Sequence, residues 1–551
     1  MVRILEYIGL SAPFRFDHSF LALPLAALAI LFALWRPALA QRCALSGQRL
    51  LDAFARKPWL AAGSIVILAV IAGAVQLAAR GVPVPRVHDE FSYLLGADTF
   101  AHGRLTNPPP PLWIHFETFH VIQQPTYASM YPPAQGLFMA TGEWLFNLPW
   151  AGVWISAALL GLASLWSLQG WFPRRWAFVG ALFVTTTACC SYWLDTYWGG
   201  SVAAIGGALV LGAWPRLERR PSVRDSLLFG LGMAILANSR MYEGGVLSLI
   251  AVALLTFSAI RKPVALPSIY WRHSVLPAGL LLAATGAWMM YYNWRVTGHP
   301  FLLPYVLNMK TYLSYGIFLW QRDPPQPSYR HDVMRQLYTL DYKFDRANLL
   351  SFWYGTPEII QQFMGTMLVV PLCALPWIVR SRRIRGLLLA TVGVALAVLL
   401  LRNMRPHYLA PATIGIVGLT VQALRYLSIT RIGTVAAQTL IFVWLGSQWG
   451  SRVGGLLIPP PAPDWAVARD RMERNLVQTG ERHLIIVRYS SSHARNQEWV
   501  YNDADLAASP VIWAREMRPA DDRTLVEYFK DRKIWLLEAD SARLVPFDRT
   551  Q

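Results

Sequence analysis

Charge is what this chain has least of. Only 15% of its 551 residues are Asp, Glu, Lys or Arg, against roughly a quarter in an ordinary soluble domain. That deficit excludes a soluble enzyme of this length, whose surface would carry more charge. Cysteine is almost missing as well: four are present. Cys43 falls in a polar stretch and Cys189, Cys190 and Cys373 in apolar ones, so no disulfide framework holds the loops or the tail. There is no Cys-rich zinc spacing and no His-Glu-x-x-His. The tail has no glycine-rich phosphate fingerprint, which leaves nucleotide binding without support. Acidic residues number 32 against 50 Lys and Arg. No motif gathers the basic residues on a groove-reading face, which argues against nucleic acid as a partner.

Apolar runs fill the space that charge leaves. Hydrophobic residues make up 54% of the chain, and stretches long enough to cross a bilayer recur to about residue 449. They lie near 19–40, 59–79, 149–170, 176–194, 200–214, 226–239, 244–260, 274–294, 357–379, 386–401, 408–424 and 432–449. The expectation is a mainly α polytopic membrane protein of about 12 transmembrane helices. Ala38-Leu39-Ala40 resembles a leader cleavage site. The long preceding segment, Trp35-Arg36 and the basic stretch that follows favour a retained first span.

Arginine sets the expected orientation. Short basic loops carry Arg42, Arg49, Arg56 and Lys57; Arg174 and Arg175; Arg216, Arg219, Arg220 and Arg224; Arg261, Lys262 and Arg272; Arg380, Arg382, Arg383 and Arg385; Arg425 and Arg431. They alternate with loops poor in Lys and Arg, as the positive-inside rule requires. The long loops 80–148 and 295–356 and the tail then face outward from a bacterial cytoplasmic (inner) membrane. Two units are expected: a membrane unit over 1–458, and a small extracytoplasmic α/β unit over 459–551 that begins in the hinge Pro459-Pro460-Pro461-Ala462-Pro463. In the tail, 464–478 and 521–532 read as helices. Residues 483–489, 510–515 and 533–538 read as strands of a largely parallel sheet. So small a unit is expected to lean on the membrane unit or a partner.

Chemistry points to the first outward loop. His88-Asp89-Glu90 stands at its head, followed by Phe91, Leu94 and Leu95 at helical spacing, which predicts a short helix lying on the membrane surface. Carboxylates held there suit work on a substrate anchored in lipid. Gly103-Arg104-Leu105 and Tyr131-Pro132-Pro133 follow before the next apolar run. With the Asp-Glu pair, these elements resemble the first outward loop of GT-C fold glycosyltransferases, most nearly the protein-mannosyltransferase and lipid A aminoarabinose-transferase branch (family 39 type).

That resemblance implies transfer of a sugar from a polyprenyl-phosphate donor, usually with inversion, to a glycan, lipid or protein acceptor. Asp89 takes the family's place as base or acceptor-positioning acid, Glu90 stands beside it, and Asp195 matches a second acid. Physical reasoning runs alongside. An attacking hydroxyl needs a carboxylate to take its proton, and a departing lipid phosphate needs positive charge. The bland alternative is an acid pair capping an interfacial helix. Candidates for the phosphate are Arg240, with Tyr242 and Glu243, in the break Asn238–Gly244; then Arg402, Arg405 and His407; and Lys310 in the second long loop. Headgroup snorkelling competes for the arginines, and an interfacial aromatic belt for the region of Asp195.

The pattern demands no cofactor. A divalent metal is the one candidate: His88, His102, His115 and His120 share the first loop with Asp89, Glu90 and Glu117, with His88, Asp89 and His102 put first, and the irregular spacing favours solvated loop histidines. A lipid-linked saccharide transporter or flippase is the rival function, with its charges inside the bundle. A non-catalytic membrane scaffold is another.

Overall fold

The computed structural model describes residues 22–261, 267–341, 359–360, 362–363, 365–457, 464–494 and 496–547. The hinge 459–463, residues 342–356 of the second loop and part of the expected 357–379 span lie outside them.

Helices α1 (Ala22–Trp35) and α2 (Pro37–Arg56) open the described chain. The basic stretch around Arg42 and Arg49, expected as a loop, is α2. Proline at its first position is compatible with a new helix. Ala40, Ala44, Leu51 and Ala55 then repeat along one buried face, while Arg42, Arg49 and Arg56 stay exposed.

Longer apolar helices follow. α3 (Pro58–Arg80) begins on proline and stops where Gly81 takes φ 71°, a conformation that disfavours any side chain. After α4 (His88–Ala101) come α5 (Pro133–Phe146), α6 (Pro149–Gln169), α7 (Arg174–Cys190), α8 (Ser201–Arg219), α9 (Val223–Ala237) and α10 (Met241–Arg261). Then follow α11 (Leu276–Thr297), α12 (Pro304–Tyr312), α13 (Arg382–Leu399), α14 (Thr413–Leu427) and α15 (Arg431–Leu457). Among the described residues, 5 helical segments are long and apolar enough to cross a membrane: Pro58–Arg80, Pro149–Gln169, Met241–Arg261, Trp271–Thr297 and Pro406–Leu427. Each coincides with an expected span. The described helices in the remaining expected spans are shorter or more polar.

α8 packs against α6, α9 and α10, and α3 against α6 and α7, around one large apolar core. α5 and α6 approach so closely that a Cβ on Gly152 would sit 2.0 Å from the Phe138 carbonyl oxygen. Basic residues gather at one end of the bundle, where Arg175 pairs with Asp52 at 3.2 Å and Arg216 donates to the Trp166 carbonyl at 2.7 Å.

The opposite end holds α4, a small antiparallel pair of β1 (Val121–Ile122) and β2 (Ala128–Ser129), α12 and the C-terminal unit. The expectation for α4 is corrected here. Instead of one face in lipid, it buries Glu90, Phe91, Ser92, Tyr93, Leu95, Gly96, Ala97, Thr99 and Phe100 around most of its circumference. The reason is a second cover. α5 and β2 take one side, and the C-terminal unit lays Tyr501 on Phe91, rings stacked at 4.3 Å.

That unit contains α16 (Asp464–Gln478), β3 (His483–Arg488), β4 (Val511–Arg515), α17 (Pro519–Tyr528), β5 (Lys533–Glu538) and β6 (Arg543–Pro546). Strand order is β4-β3-β5-β6. β3 is parallel to both neighbours, and β6, absent from the sequence reading, pairs antiparallel with β5. The unit leans on the first loop as expected. Arg515, 1% exposed, binds Glu498 at 2.5 Å and donates to the Glu117 carbonyl at 2.6 Å. Asp98 accepts the Ala504 amide at 2.7 Å.

Candidate active site

α4 begins with two acids in its first turn, where the helix dipole favours them. Their fates diverge at once. Glu90 turns back, accepting the Arg86 and Val87 amides at 3.0 and 3.2 Å and, across the fold, the Tyr197 amide at 3.0 Å. It is fully buried, and burial raises its carboxyl to about 7 despite those amides. Three amide contacts make it a clamp between α4 and the segment after Asp195.

Asp89 points the other way. Its Oδ1 accepts the Tyr131 hydroxyl and its Oδ2 lies 3.0 Å from His88 Nδ1. Burial alone would raise this carboxyl, but His88 and the Tyr131 hydroxyl hold it below the usual carboxylate range. The charge is therefore kept where burial would otherwise remove it.

Tyr131 carries the site across the bundle end. Its ring stacks on Tyr93 at 4.2 Å, and both tyrosines lie in electrostatic range of Arg240. Arg240, half-buried between α9 and α10, places its guanidinium 4.9 Å from the Tyr408 ring centroid. Among the described residues no carboxylate or carbonyl hydrogen-bonds that guanidinium, and Glu243 is an acid in electrostatic range. His407 and Arg405 complete the wall. His407 is buried, its Nδ1 is 3.1 Å from the Tyr192 hydroxyl and its ring 4.8 Å from that of Trp198. Arg405 lies in electrostatic range of His407. An apolar crevice lined by Met130, Pro133, Met241, Met289, Tyr292 and Tyr305 opens beside Tyr131 and Arg240.

Asp89, Arg240, Glu243, Arg405 and His407 thus share one neighbourhood, and other candidates have different partners. Asp195 pairs with Arg452 at 2.5 Å, and Arg452 also donates to Gln76 at 3.0 Å. Tyr242 donates to the Ala397 carbonyl at 3.2 Å and packs on Phe318. Lys310 is exposed on α12. Arg402 pairs with Asp323 at 2.7 Å. Of the three metal candidates, His102 lies apart from His88 and Asp89. His102 caps the far end of α4 beside Asp98, 63% exposed, roughly 20 Å from His88 by helical rise. His120 takes its place, its ring 4.7 Å from that of His88.

Tyr93, Tyr131 and Tyr408 were not singled out as site residues from sequence, whereas His120 stood there among the loop histidines able to hold a metal. Tyr131 belongs to the Tyr-Pro-Pro element, but its contact with Asp89 spans 42 positions and no local pattern announces it.

The fold is similar to that of solved GT-C membrane glycosyltransferases. The solved structures it resembles include ArnT from Cupriavidus metallidurans bound to undecaprenyl phosphate, with 14% identity over 87% of this chain and 94% of that one, at a TM-score of 0.51. The same protein in the apo state matches at 13% identity and TM-score 0.50, covering 87% of this chain and 93% of that one. An Archaeoglobus fulgidus oligosaccharyltransferase tethered with an acceptor peptide matches at 10% identity and TM-score 0.45, over 88% of this chain and 70% of that one. No family model and no curated protein matches the chain.

Proposed function

We propose that this protein is a membrane glycosyltransferase that moves a sugar from a polyprenyl-phosphate donor to an extracytoplasmic lipid, glycan or protein acceptor. One observation carries the proposal: Asp89 and the guanidinium of Arg240 face the same tyrosine wall at the loop end of a GT-C bundle. An acceptor hydroxyl attacks the anomeric carbon of the sugar, and Asp89 accepts its proton or holds it in line. The bond from that carbon to the phosphate oxygen breaks, and polyprenyl phosphate leaves as an anion beside Arg240, with Arg405 close by. The apolar crevice beside Tyr131 and Arg240 suits the first isoprene units of the carrier.

Glu90 acts here as a positioning residue, and the Asp195–Arg452 pair stabilises the segment that Glu90 holds. About twelve spans, the division at 458/459, a bacterial inner membrane and an outward-facing C-terminal unit belong to the same proposal. The gathering of basic loops at the opposite end supports that orientation.

The test is turnover of labelled polyprenyl-phosphate sugars by the purified protein in lipid, wild type against Asp89→Asn. Transfer by wild type and a drop of about a thousandfold in the variant is the expected result. Equal rates would remove Asp89 from the mechanism. Movement of intact donor across the bilayer without sugar transfer would favour the transporter.

A further inference from the structure

His120 is a histidine whose ring has been left without a hydrogen-bonding partner. It is 5% exposed, and neither Nδ1 nor Nε2 has a hydrogen-bond partner among the described residues. Burial of two polar ring atoms without compensation is unfavourable, and an ion is one explanation for such atoms in a native fold. The backbone holds the ring there deliberately. His120 adopts φ 60°, a left-handed conformation unfavourable for a non-glycine residue. Three hydrogen bonds hold it. Its carbonyl accepts Ser92 Oγ at 2.6 Å and the Met130 amide at 3.1 Å, and its amide donates to the Tyr338 hydroxyl at 3.3 Å.

The ring meets two further ligand types. One ligand atom each from His88, Asp89 and His120 all lie within 4.8 Å of one another. Around a tetrahedral zinc such atoms stand about 3.3 Å apart, so small side-chain rotations close the set. We propose that His88, Asp89 and His120 form a binding site for a divalent transition-metal ion at the head of the first loop.

Two imidazoles and one carboxylate suit Zn2+, Mn2+, Co2+ or Fe2+, whereas Mg2+ and Ca2+ prefer oxygen ligands. The Tyr131 hydroxyl on Asp89 Oδ1 is the outer partner that orients a metal-bound carboxylate. His88 and Asp89 are 16% and 19% exposed, so the site opens on one side. Coordination positions there remain for an oxygen of the acceptor or of the donor phosphate. This function of the site rests on the glycosyltransferase reading, whereas the metal binding itself does not.

Binding is measured on the full chain in lipid after chelator treatment, by equilibrium dialysis with Zn2+ and with Mn2+ and elemental analysis. Wild type is expected to retain one metal per chain. His120→Gln should weaken binding at least about tenfold, and His88→Gln, on the open side, should do the same if His120→Gln fails to fold. Arg240→Ala should bind metal like wild type while losing turnover. Wild type that takes up neither metal, or folded His88→Gln that binds as wild type does, overturns the proposal. Stoichiometric metal in a protein that transfers no sugar would keep the site and sink the transferase reading instead. Undiminished transfer by a protein shown free of metal would overturn the metal's part in the reaction.

Discussion

In the proposed reaction, Arg240 and Asp89 divide the work that a phosphate leaving group and a hydroxyl nucleophile require. A half-buried arginine at the end of an apolar bundle is costly unless something compensates it, and the Tyr408 face offers only part of that compensation. A phosphate arriving from the crevice side would supply the rest through a two-pronged contact. Arg240→Ala is therefore expected to lower kcat/KM for the donor about a hundredfold, roughly 2.7 kcal/mol of transition-state binding. Arg240→Lys should recover only part of it, because an ammonium cannot reproduce the fork. Steady-state kinetics over donor concentration checks this, and unchanged kcat/KM in both variants would move the phosphate site elsewhere. Glu90 shows the opposite case. Side by side in sequence, the two acids differ in role because consecutive helical positions point about 100° apart.

Helix α5 matters because it anchors the Tyr131 end of the loop to the bundle. Its crossing with α6 depends on Gly142 and Gly152, whose missing side chains let the two backbones touch, as small residues do between membrane helices. Gly152→Ala would drive a methyl group against the Phe138 carbonyl. The variant should lose about 1–3 kcal/mol of stability, seen as a lower midpoint of thermal unfolding in detergent. An unchanged midpoint would mean that the helices part more easily than this contact implies. α4 shows how an element can mislead. Its short apolar spacing reads as a surface helix, yet a domain some 370 positions later covers its other face, where Phe91 meets Trp465 and Tyr501.

Three segments far apart in the chain meet at one end of the molecule: the first loop, the segment after α12 and the C-terminal unit. Glu117 accepts the Tyr312 hydroxyl at 2.8 Å, and Arg515 reaches the Glu117 carbonyl. His331 lies 2.8 Å from the Ile114 carbonyl and 3.5 Å from Glu117, with Arg515, His115 and Arg330 also facing it. Burial pushes His331 down to about 3, and the positive charge of Arg515 adds to the shift. The neutral ring is the form that fits. A histidine with a lowered folded pKa contributes its full stability above the unfolded value near 6.5 and loses it as pH falls towards 3. The junction should weaken by about 2 kcal/mol at about pH 5, read as faster hydrogen exchange in residues 112–120. His331→Gln should flatten that pH dependence, and identical exchange at about pH 5 and 7.5 in wild type would overturn the assignment.

Local chemistry was enough for the bundle and for much of the tail. Apolar runs have to be helical where backbone groups find no water, and Pro58, Pro149 and Gly81 mark their ends by rules that need no neighbours. Strands β3, β4 and β5 stood out for the same reason, as short apolar runs between polar turns. Asp89 and Arg240 were legible too, because charge beside a hydrophobic segment is conspicuous. Other features depended on contacts between distant positions: Tyr131 against Asp89, His120 in place of His102, Arg452 on Asp195, and the cover over α4. The pairing edge for β6 likewise exists only after β5 has formed. The contacts of Tyr131 with Asp89, Arg452 with Asp195 and the first loop with the C-terminal unit join residues 42 to 400 positions apart. A side chain's partners at that range depend on how the elements pack, and spacing along the chain does not encode them.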